Sequence, residues 1–311
     1  MRQPDRETEI VQRIREMADA RRRDPTIVTG IGDDCAVVRP KPDEDLVFTS
    51  DFVLENRHFT LETHKPIDIG HLALARSLSD LAAMGAEPVF CIVSHAVGSK
   101  RASRWVQQFY KGLLALADRY EVTLAGGDLA QFDRVIANVM CCGRVPRGEA
   151  ILRSGAKPGD SVYVTGELGA SAHGLAARRG KALRRHLRPE PRIEAGVALR
   201  RVGVSAAIDI SDGLALDLHR LCLESHVGAE LDRELPIASG ATLEEALYGG
   251  EDYELLFTAS AEKRVPKQIA GVPITRIGLI TDMSVGEVRL AGRLLKPKGF
   301  DHFSQTKESV G

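Results

Sequence analysis

The chain has 311 residues, is 43% hydrophobic and 27% charged, and carries a formal net charge of −1. That length predicts two domains of ordinary size, and the even charge balance excludes nucleic acid or an anionic membrane as an electrostatic partner. Five cysteines, none in a C-x-x-C pair, argue against a disulfide framework. The opening residues MRQPDRETEIVQRIREMADARRRDP lack an apolar signal-peptide core, and no apolar run reaches the roughly 18 residues of a membrane span. A cytoplasmic location is therefore expected.

Taken in order, Ile10, Val11, Ile14, Met17 and Ala18 form one apolar stripe and predict an amphipathic helix. Residues 27–34 read IVTGIGDD, a short apolar run ending in glycines and two acids. Cys35 stands where a dinucleotide fingerprint needs its last glycine, so that match is weak. Residues 46–52, LVFTSDF, read as a strand with Asp51 near its end, where aspartate is depleted; Asn56, Arg57 and His58 follow in a polar segment. Residues 68–88 carry the stretch on which the chain is organised. Leu74, Leu78 and Leu81 recur at helical spacing among alanines before Gly85 and Pro88 stop the pattern, which predicts a buried helix with a surface other backbones can approach closely. Asp80 falls in its last turn, where the helix dipole disfavours a negative charge. Either Arg76, four residues earlier, pairs with it or it faces a bound cation. A strand over 89–97, a helix over 105–120 and a short strand over 122–125 follow, the last opening into Gly126-Gly127-Asp128. That triplet is either a tight turn or a place where backbone N–H groups close on a phosphate beside a metal-holding acid.

Another strand is expected over 135–145, and Pro146-Arg147-Gly148 marks the expected boundary between a domain of residues 1–147 and one of 148–311. Beyond it lie a turn at 156–160, a strand over 161–165 and a small-residue helix after Gly166 and Gly169. Residues 174–182 approach a Walker A loop, but the spacing is one residue too long and Ala182 follows Lys181, which excludes a P-loop. A strand over 205–210 ends in Asp209-Ile210-Ser211-Asp212-Gly213 before a helix that Ser211 or Asp212 is expected to cap. Strand ends of this kind are where α/β folds bind ligands. Residues 248–257, YGGEDYELLF, pair two glycines with three acids, and 296–303, KPKGFDHF, carry aromatic residues at a polar end. Alternating strands and helices in both halves predict an α/β chain with some α+β character.

Acids thus recur at strand and turn ends: Asp34, Asp51, Asp80, Asp128, Asp209 and Asp212. Two like charges 4 Å apart repel by roughly 4 kcal/mol at an effective dielectric of 20, so a converging set needs cations. Without a His/Cys set at zinc spacing, the expected ion is Mg²⁺. Such sites also take phosphate oxygens, which points to a nucleotide and to phosphoryl transfer without a Walker lysine.

The motifs GIGDDCAVV, FTSD, NRHF, LSDLAAMGAEP, GGD, LRSGAKPGDSVYVTG, IDISDGL, GGEDYEL and KGFDHF, in that order, resemble the thiamine-monophosphate kinase family of the aminoimidazole ribonucleotide synthetase superfamily. The resemblance runs from about Gly30 to Phe303. It implies ATP-dependent phosphorylation of thiamine monophosphate to thiamine diphosphate with several Mg²⁺ ions. It also implies a two-domain fold whose N-terminal four-stranded sheet pairs into a barrel across a homodimer. By position, Asp34, Thr49, Ser50, Asp51, Asp80, Asp128, Asp209 and Asp212 match the family's metal-site residues. Gly127, Asp128, Arg153 and Ser211 match its nucleotide contacts, with Tyr110 near the adenine. His58, Glu251 and Phe300 fall where the family binds the thiamine phosphate. No general base is implied. Residues 178–200 show no site pattern. The alternatives are another ATP-dependent synthetase of the superfamily, or a nucleotide-binding regulator without turnover.

Overall fold

The computed structural model describes residues 7–21, 24–31, 35–98 and 102–300. The first elements are α1 (Glu7–Asp19), β1 (Ile27–Thr29), β2 (Val37–Val38), β3 (Glu44–Leu54), α2 (Pro66–Ala83), β4 (Glu87–Val97), α3 (Ala102–Arg119), β5 (Thr123–Gln131) and β6 (Ile136–Pro146). After them come β7 (Ser161–Thr165), α4 (Ala170–Ala177), α5 (Gly180–Leu187), α6 (Ile193–Val202), β8 (Ala206–Ile210), α7 (Leu214–Ser225), β9 (Gly228–Leu231), α8 (Leu243–Tyr248) and β10 (Glu254–Ala259). The last are β11 (Gln268–Ile269), β12 (Val272–Thr281), β13 (Val288–Leu290) and β14 (Arg293–Leu294). No helix of the described residues is long and apolar enough to cross a membrane.

Two compact units result. The first comprises Met1–Leu152 with Leu187–Val204 and Ile269–Gly271; the second comprises Arg153–His186, Ser205–Gln268 and Val272–Gly311. In the first unit a four-stranded sheet runs β3-β6-β4-β5, antiparallel except for the parallel β4–β5 pair. One face of β3, carrying Thr49, Asp51 and Val53, turns towards α2. The other carries Phe48, Ser50 and Phe52, with Phe48 59% and Phe52 55% exposed. This is period-two alternation.

Helix α2 is buried along most of its length, and its neighbours reach it backbone to backbone. A Cβ at Gly70 would meet the Phe109 carbonyl oxygen at 1.9 Å, one at Gly112 the Ile67 oxygen at 1.9 Å, and one at Gly196 the Ala82 oxygen at 2.0 Å. Glycines on both sides, Gly70 in the sequence stretch and Gly112 and Gly196 on its neighbours, are therefore what allow α3 and α6 to pack so closely. Segment 187–204 is recruited to this unit by polar contacts as well: His71 Nε2 lies 2.8 Å from the Pro189 carbonyl, Arg188 pairs with Asp68 at 2.5 Å, and Arg200 donates to the Gly85 carbonyl at 2.9 Å.

Gly126-Gly127-Asp128 lies inside β5, so the strand does not end at residue 125 and the tight turn, one of the two readings of the triplet, does not form. Parallel pairing to β4 extends the strand to Gln131, with a register shift at Ile92/Gly126. Gly127 is needed for that approach, since a Cβ there would meet the Val93 carbonyl oxygen at 2.2 Å.

The second unit is built on an eight-stranded sheet whose main order is β14-β13-β9-β12-β7-β10-β8, with β11 pairing to β12. Strand β8 is buried at every position. Val162, Val164, Ile208, Ile210, Leu214, Leu218 and Leu256 belong to one core beneath α7 and α8.

Between β4 and α3 of the first unit, His95 is 2% exposed. Its ring stacks on Phe109 with centroids 4.3 Å apart, beside Trp105 at 5.5 Å, and neither ring nitrogen has a hydrogen-bond partner among the described residues. Burial pushes its pKa down to about 4, whereas an unfolded chain takes up that proton near pH 6.5. The stability contributed by a neutral His95 is thus complete above pH 6.5 and is lost as pH falls from there towards 4. With His95→Phe, about 2 kcal/mol of the loss in unfolding free energy between pH 7 and pH 5 should disappear, measured by urea denaturation at both pH values.

Candidate active site

In the first unit Asp51 and Asp80 meet where β3 packs against α2, while Asp128 on β5 is in register with Ser94 and through it with Asn138, on the face that Ser50 occupies. Thr49 Oγ1 on β3 donates to Asp80 Oδ2 on α2, and Asp51 Oδ1 lies 3.7 Å from Arg76 Nη2. The ion pair seen for Arg76 is thus with the strand acid, because Asp51 and Arg76 share the interface between β3 and α2. Asp51 and Asp80 both bear on the buried Cys141 thiol and help to hold its pKa well above the ordinary value, after burial itself. Asp128 is exposed on β5, and with Cys91 it raises the Tyr110 hydroxyl beyond the effect of burial. Ser50 points to the opposite face, where its hydroxyl donates to Asn138 Oδ1 at 3.0 Å. His58 is 6% exposed and accepts the Leu54 N–H at Nδ1, 3.0 Å away. That bond places the proton of the neutral ring on Nε2.

In the second unit, the loop between β8 and α7 gathers the remaining site residues. Helix α7 starts after Gly213, which has φ 117° and makes no side-chain cap; neither Ser211 nor Asp212 caps the helix. The cap comes from within. Asp217 is wholly buried, and its Oδ2 accepts the N–H groups of Ser211, Asp212 and Gly213 at 3.2, 3.0 and 3.1 Å. Burial and the neighbouring Asp212 charge push its pKa up to about 6, against the pull of these donors and of Arg220. Arg220 Nη1 lies 2.5 Å from Asp212 Oδ2 and 2.9 Å from Asp217 Oδ1.

The loop carbonyls face the other way. Ser211 accepts from the Glu251 N–H at 2.7 Å and Asp212 from the Phe300 N–H at 3.0 Å. Ser211, Asp212, Glu251 and Phe300 are thereby tied to one loop, while Asp209 lies in β8 opposite Leu255. Glu251 and Tyr253 both have positive φ, 65° and 52°, strained backbone of the kind that persists where surroundings enforce it. Between them, Asp252 accepts the N–H groups of Gly169 at 2.6 Å and Ser171 at 3.0 Å, and so caps α4 as Asp217 caps α7. His186 Nδ1 lies 2.9 Å from Ser171 Oγ and 3.5 Å from Glu251 Oε2, while Arg185 pairs with the buried Glu254.

The donors described, carboxylates and a hydroxyl, are hard oxygens that suit Mg²⁺ and not Zn²⁺. Among the described residues, no three His, Cys, Asp or Glu side chains form a ready-made metal cluster. A Mg²⁺ ion carried on a nucleotide needs only one or two carboxylates besides phosphate oxygens, so the residues present fit it.

Two family models match the chain: the N-terminal domain of AIR synthase related protein over residues 32–145, and its C-terminal domain over 157–290. The thiamine-monophosphate kinase of Bacillus subtilis (strain 168) is 37% identical over 306 residues, covering 89% of this chain and 94% of that protein. The chain belongs to the thiamine-monophosphate kinase family. The crystal structure of the kinase from Stenotrophomonas maltophilia K279a superposes with a TM-score of 0.80 at 34% identity, covering 93% of this chain and 98% of that one. A further solved relative, AaThiL complexed with AMPPCP and TMP, has a TM-score of 0.77 at 29% identity and covers 96% of this chain and 97% of that one.

Against the residues matched to the kinase family by sequence, the structure brings Thr49, Asp51 and Asp80 together, and separately Ser211, Asp212, Glu251 and Phe300, with Asp209 two residues ahead on β8. Ser50 turns its side chain away from the first group. Tyr110 is 3% exposed in the aromatic layer around His95. Arg153 is exposed, and its carbonyl is held by Ser225 Oγ at 2.7 Å, at the far end of α7 from Ser211. A helix of that length spans about 18 Å, so Arg153 and Ser211 are not brought together. Asp34 lies outside the described residues.

Sequence reading missed Asp217, Arg220, Asp252, Arg185 and His186. An acid in the first turn of a helix that starts on glycine was the available signal for Asp217. Asp217→Ala would strand three loop N–H groups and is expected to cost about 2–4 kcal/mol, read from the shift in urea midpoint.

Proposed function

We propose that this chain catalyses the ATP-dependent phosphorylation of thiamine monophosphate to thiamine diphosphate by direct phosphoryl transfer, as a Mg²⁺-dependent enzyme of the cytoplasm. The observation that carries the reading is the relative complexed with AMPPCP and TMP, which covers 96% of this chain. Mg²⁺, when bound, offsets the charge of the phosphates and aligns their oxygens. Asp34, Thr49, Ser50, Asp51, Asp80, Asp128, Asp209 and Asp212 are the residues that would hold it, Ser50 and Asp34 being assigned on sequence position alone.

Residues 1–147 form the Mg-ATP-binding and dimerisation part. Residues 148–311 contribute the loop acids and most contacts to thiamine phosphate. Gly127, Asp128, Arg153 and Ser211 contact the nucleotide, and Tyr110 lies nearest the adenine. His58, with its proton on Nε2, donates to the phosphate of the acceptor. Glu251 faces the cationic thiazolium, and Phe300 offers a ring for stacking.

Incubating the protein with MgATP and thiamine monophosphate should yield thiamine diphosphate and ADP; ATP binding without product would leave only a nucleotide-binding regulator. In the same assay Asp80→Asn, which keeps shape but removes charge, should lower kcat by at least about 100-fold with the thermal midpoint little changed. Full activity would return Asp80 to a structural role beside Thr49.

The homodimer forms through the part of the first unit's sheet around Phe48 and Phe52, beside the patch that β1 and β2 cover with Ile27 and Val38. Phe48 and Phe52 are more than half exposed there, and the half-buried Met140, in register with Ser50 between them, continues the face to Ile92. An apolar sheet face of this sort needs a partner, and a second copy meets it by two-fold symmetry. Sedimentation should show a dimer, and Phe48→Glu with Phe52→Glu should shift it to monomer.

A further inference from the structure

The Ser211–Gly213 loop has a charge balance that its backbone role does not require. The three N–H bonds to Asp217 Oδ2 fix the loop without any cation. Arg220 adds a second layer. Its Nη1 is shared between Asp212 Oδ2 at 2.5 Å and Asp217 Oδ1 at 2.9 Å, so one guanidinium nitrogen bridges an accessible acid and a buried one. Asp212 is 23% exposed at its side chain, Arg220 38% and Asp217 not at all. The bridge is therefore unequal. The bond to Asp217 is internal and protected, while the bond to Asp212 stands at the surface, where solvent and ions compete for it.

A carboxylate cannot give the same lone pairs to a guanidinium and a divalent cation at full strength, and two cations on one acid repel. An arginine with only one acid for a partner would be driven into solvent by an incoming ion. Arg220 has somewhere to go: rotating off Asp212 leaves it paired with Asp217 across one helical turn, at the i, i+3 spacing that keeps both side chains on one face.

We propose that Arg220 is the resident counter-cation of Asp212 in the ligand-free protein, and that it gives up Asp212 when a divalent cation binds there and withdraws onto Asp217. The inference rests on the reading of Asp212 as a cation ligand. It assigns Arg220 and Asp217 as positioning residues: one screens the acid until it is needed, and the other keeps the screen attached. Without Arg220 the loop acid would be uncompensated in the free protein and would take up the cation more tightly.

The test is Mn²⁺ binding to the full chain without nucleotide, followed by electron paramagnetic resonance, for the wild type, Asp212→Asn, Arg220→Gln and Arg220→Lys. Asp212→Asn should weaken binding. Arg220→Gln should tighten it by about fivefold, the scale of a half-exposed ion pair, and Arg220→Lys should restore affinity close to that of the wild type. If Asp212→Asn binds as the wild type does, the reading of Asp212 fails and the inference goes with it. If Asp212→Asn weakens binding but Arg220→Gln leaves it unchanged or weaker, the reading of Asp212 stands and the exchange is overturned. A measurement on the wild type covers the case in which Arg220→Gln does not fold. Titration with Mg²⁺ should shift the guanidinium resonances of Arg220 in arginine side-chain NMR, and resonances that stay in place through saturation would equally overturn the exchange.

Discussion

Asp217 sits without any exposure one turn into α7, and the peptide groups ahead of it depend on its carboxylate. Three successive N–H groups end on one of its oxygens, and this lets the carbonyls of the same peptides turn outwards to Glu251 and Phe300. A loop whose donors were satisfied by water or by its own side chains would have no such fixed orientation. Ser211 and Asp212, released from capping, present their side chains for other use. The cost of burying the acid is met by four donors, including one charged, which is the condition under which a buried carboxylate is tolerated. Asp252 repeats the device at α4. Two glycine-started helices are thus capped by an acid outside the N-cap position, α7 from its own first turn and α4 from a distant segment, and each frees the residues that a local cap would have occupied.

The first unit meets a different constraint, distance between backbones. Gly70, Gly112 and Gly196 let α2 touch its neighbours at separations that any side chain would forbid. Close packing makes α2 rigid, and rigidity is what gives Asp80 a defined place beneath Thr49. Local propensity alone would not do this, since helices of this size draw most of their stability from packing. The alanine-rich pattern serves the site through the core.

Elements with strong local signals were legible in the sequence. Helix α2, strands β3, β4, β7 and β8, and the turn after β6 all follow from periodicity and punctuation, because burial on one face writes itself into residue spacing. What escaped depends on contacts distant in the chain. Gly126-Gly127-Asp128 was legible as the end of a short strand, since glycine pairs break strands in isolation, yet parallel pairing to β4 carries β5 through them. Residues 178–200 showed no site pattern; those from 187 to 204 belong with the first unit because Gly196 fits against Ala82 and Pro189 meets His71. In the site, the acids were legible as residue types at strand ends. Their partners were not: Thr49 for Asp80 and Arg220 for Asp212 are set by which faces meet, and a single sequence does not record that. Asp217 was hidden for a related reason, since an acid in a first turn ordinarily signals only the helix dipole.

The proposed reaction also accounts for what the histidines do not do. Its nucleophile is an oxygen of a phosphate monoester, whose second pKa of about 6 leaves it mostly dianionic at neutral pH, so no base is needed to generate it. His58 already accepts a backbone N–H at Nδ1, which leaves it a donor at Nε2, suited to holding a phosphate and not to taking its proton. His95 is sealed among aromatic rings. The barrier lies instead in bringing two anionic groups within reach of each other. At 4 Å even singly charged groups repel by roughly 4 kcal/mol in a protein-like dielectric of 20, and carboxylates placed around them would raise that cost unless each carried a cation. In the ligand-free chain Arg76 and Arg220 already stand against Asp51 and Asp212. On the proposed reaction the acids would serve phosphoryl transfer only as holders of positive charge, and the arginines would mark where that charge is required before a metal-bound nucleotide supplies it.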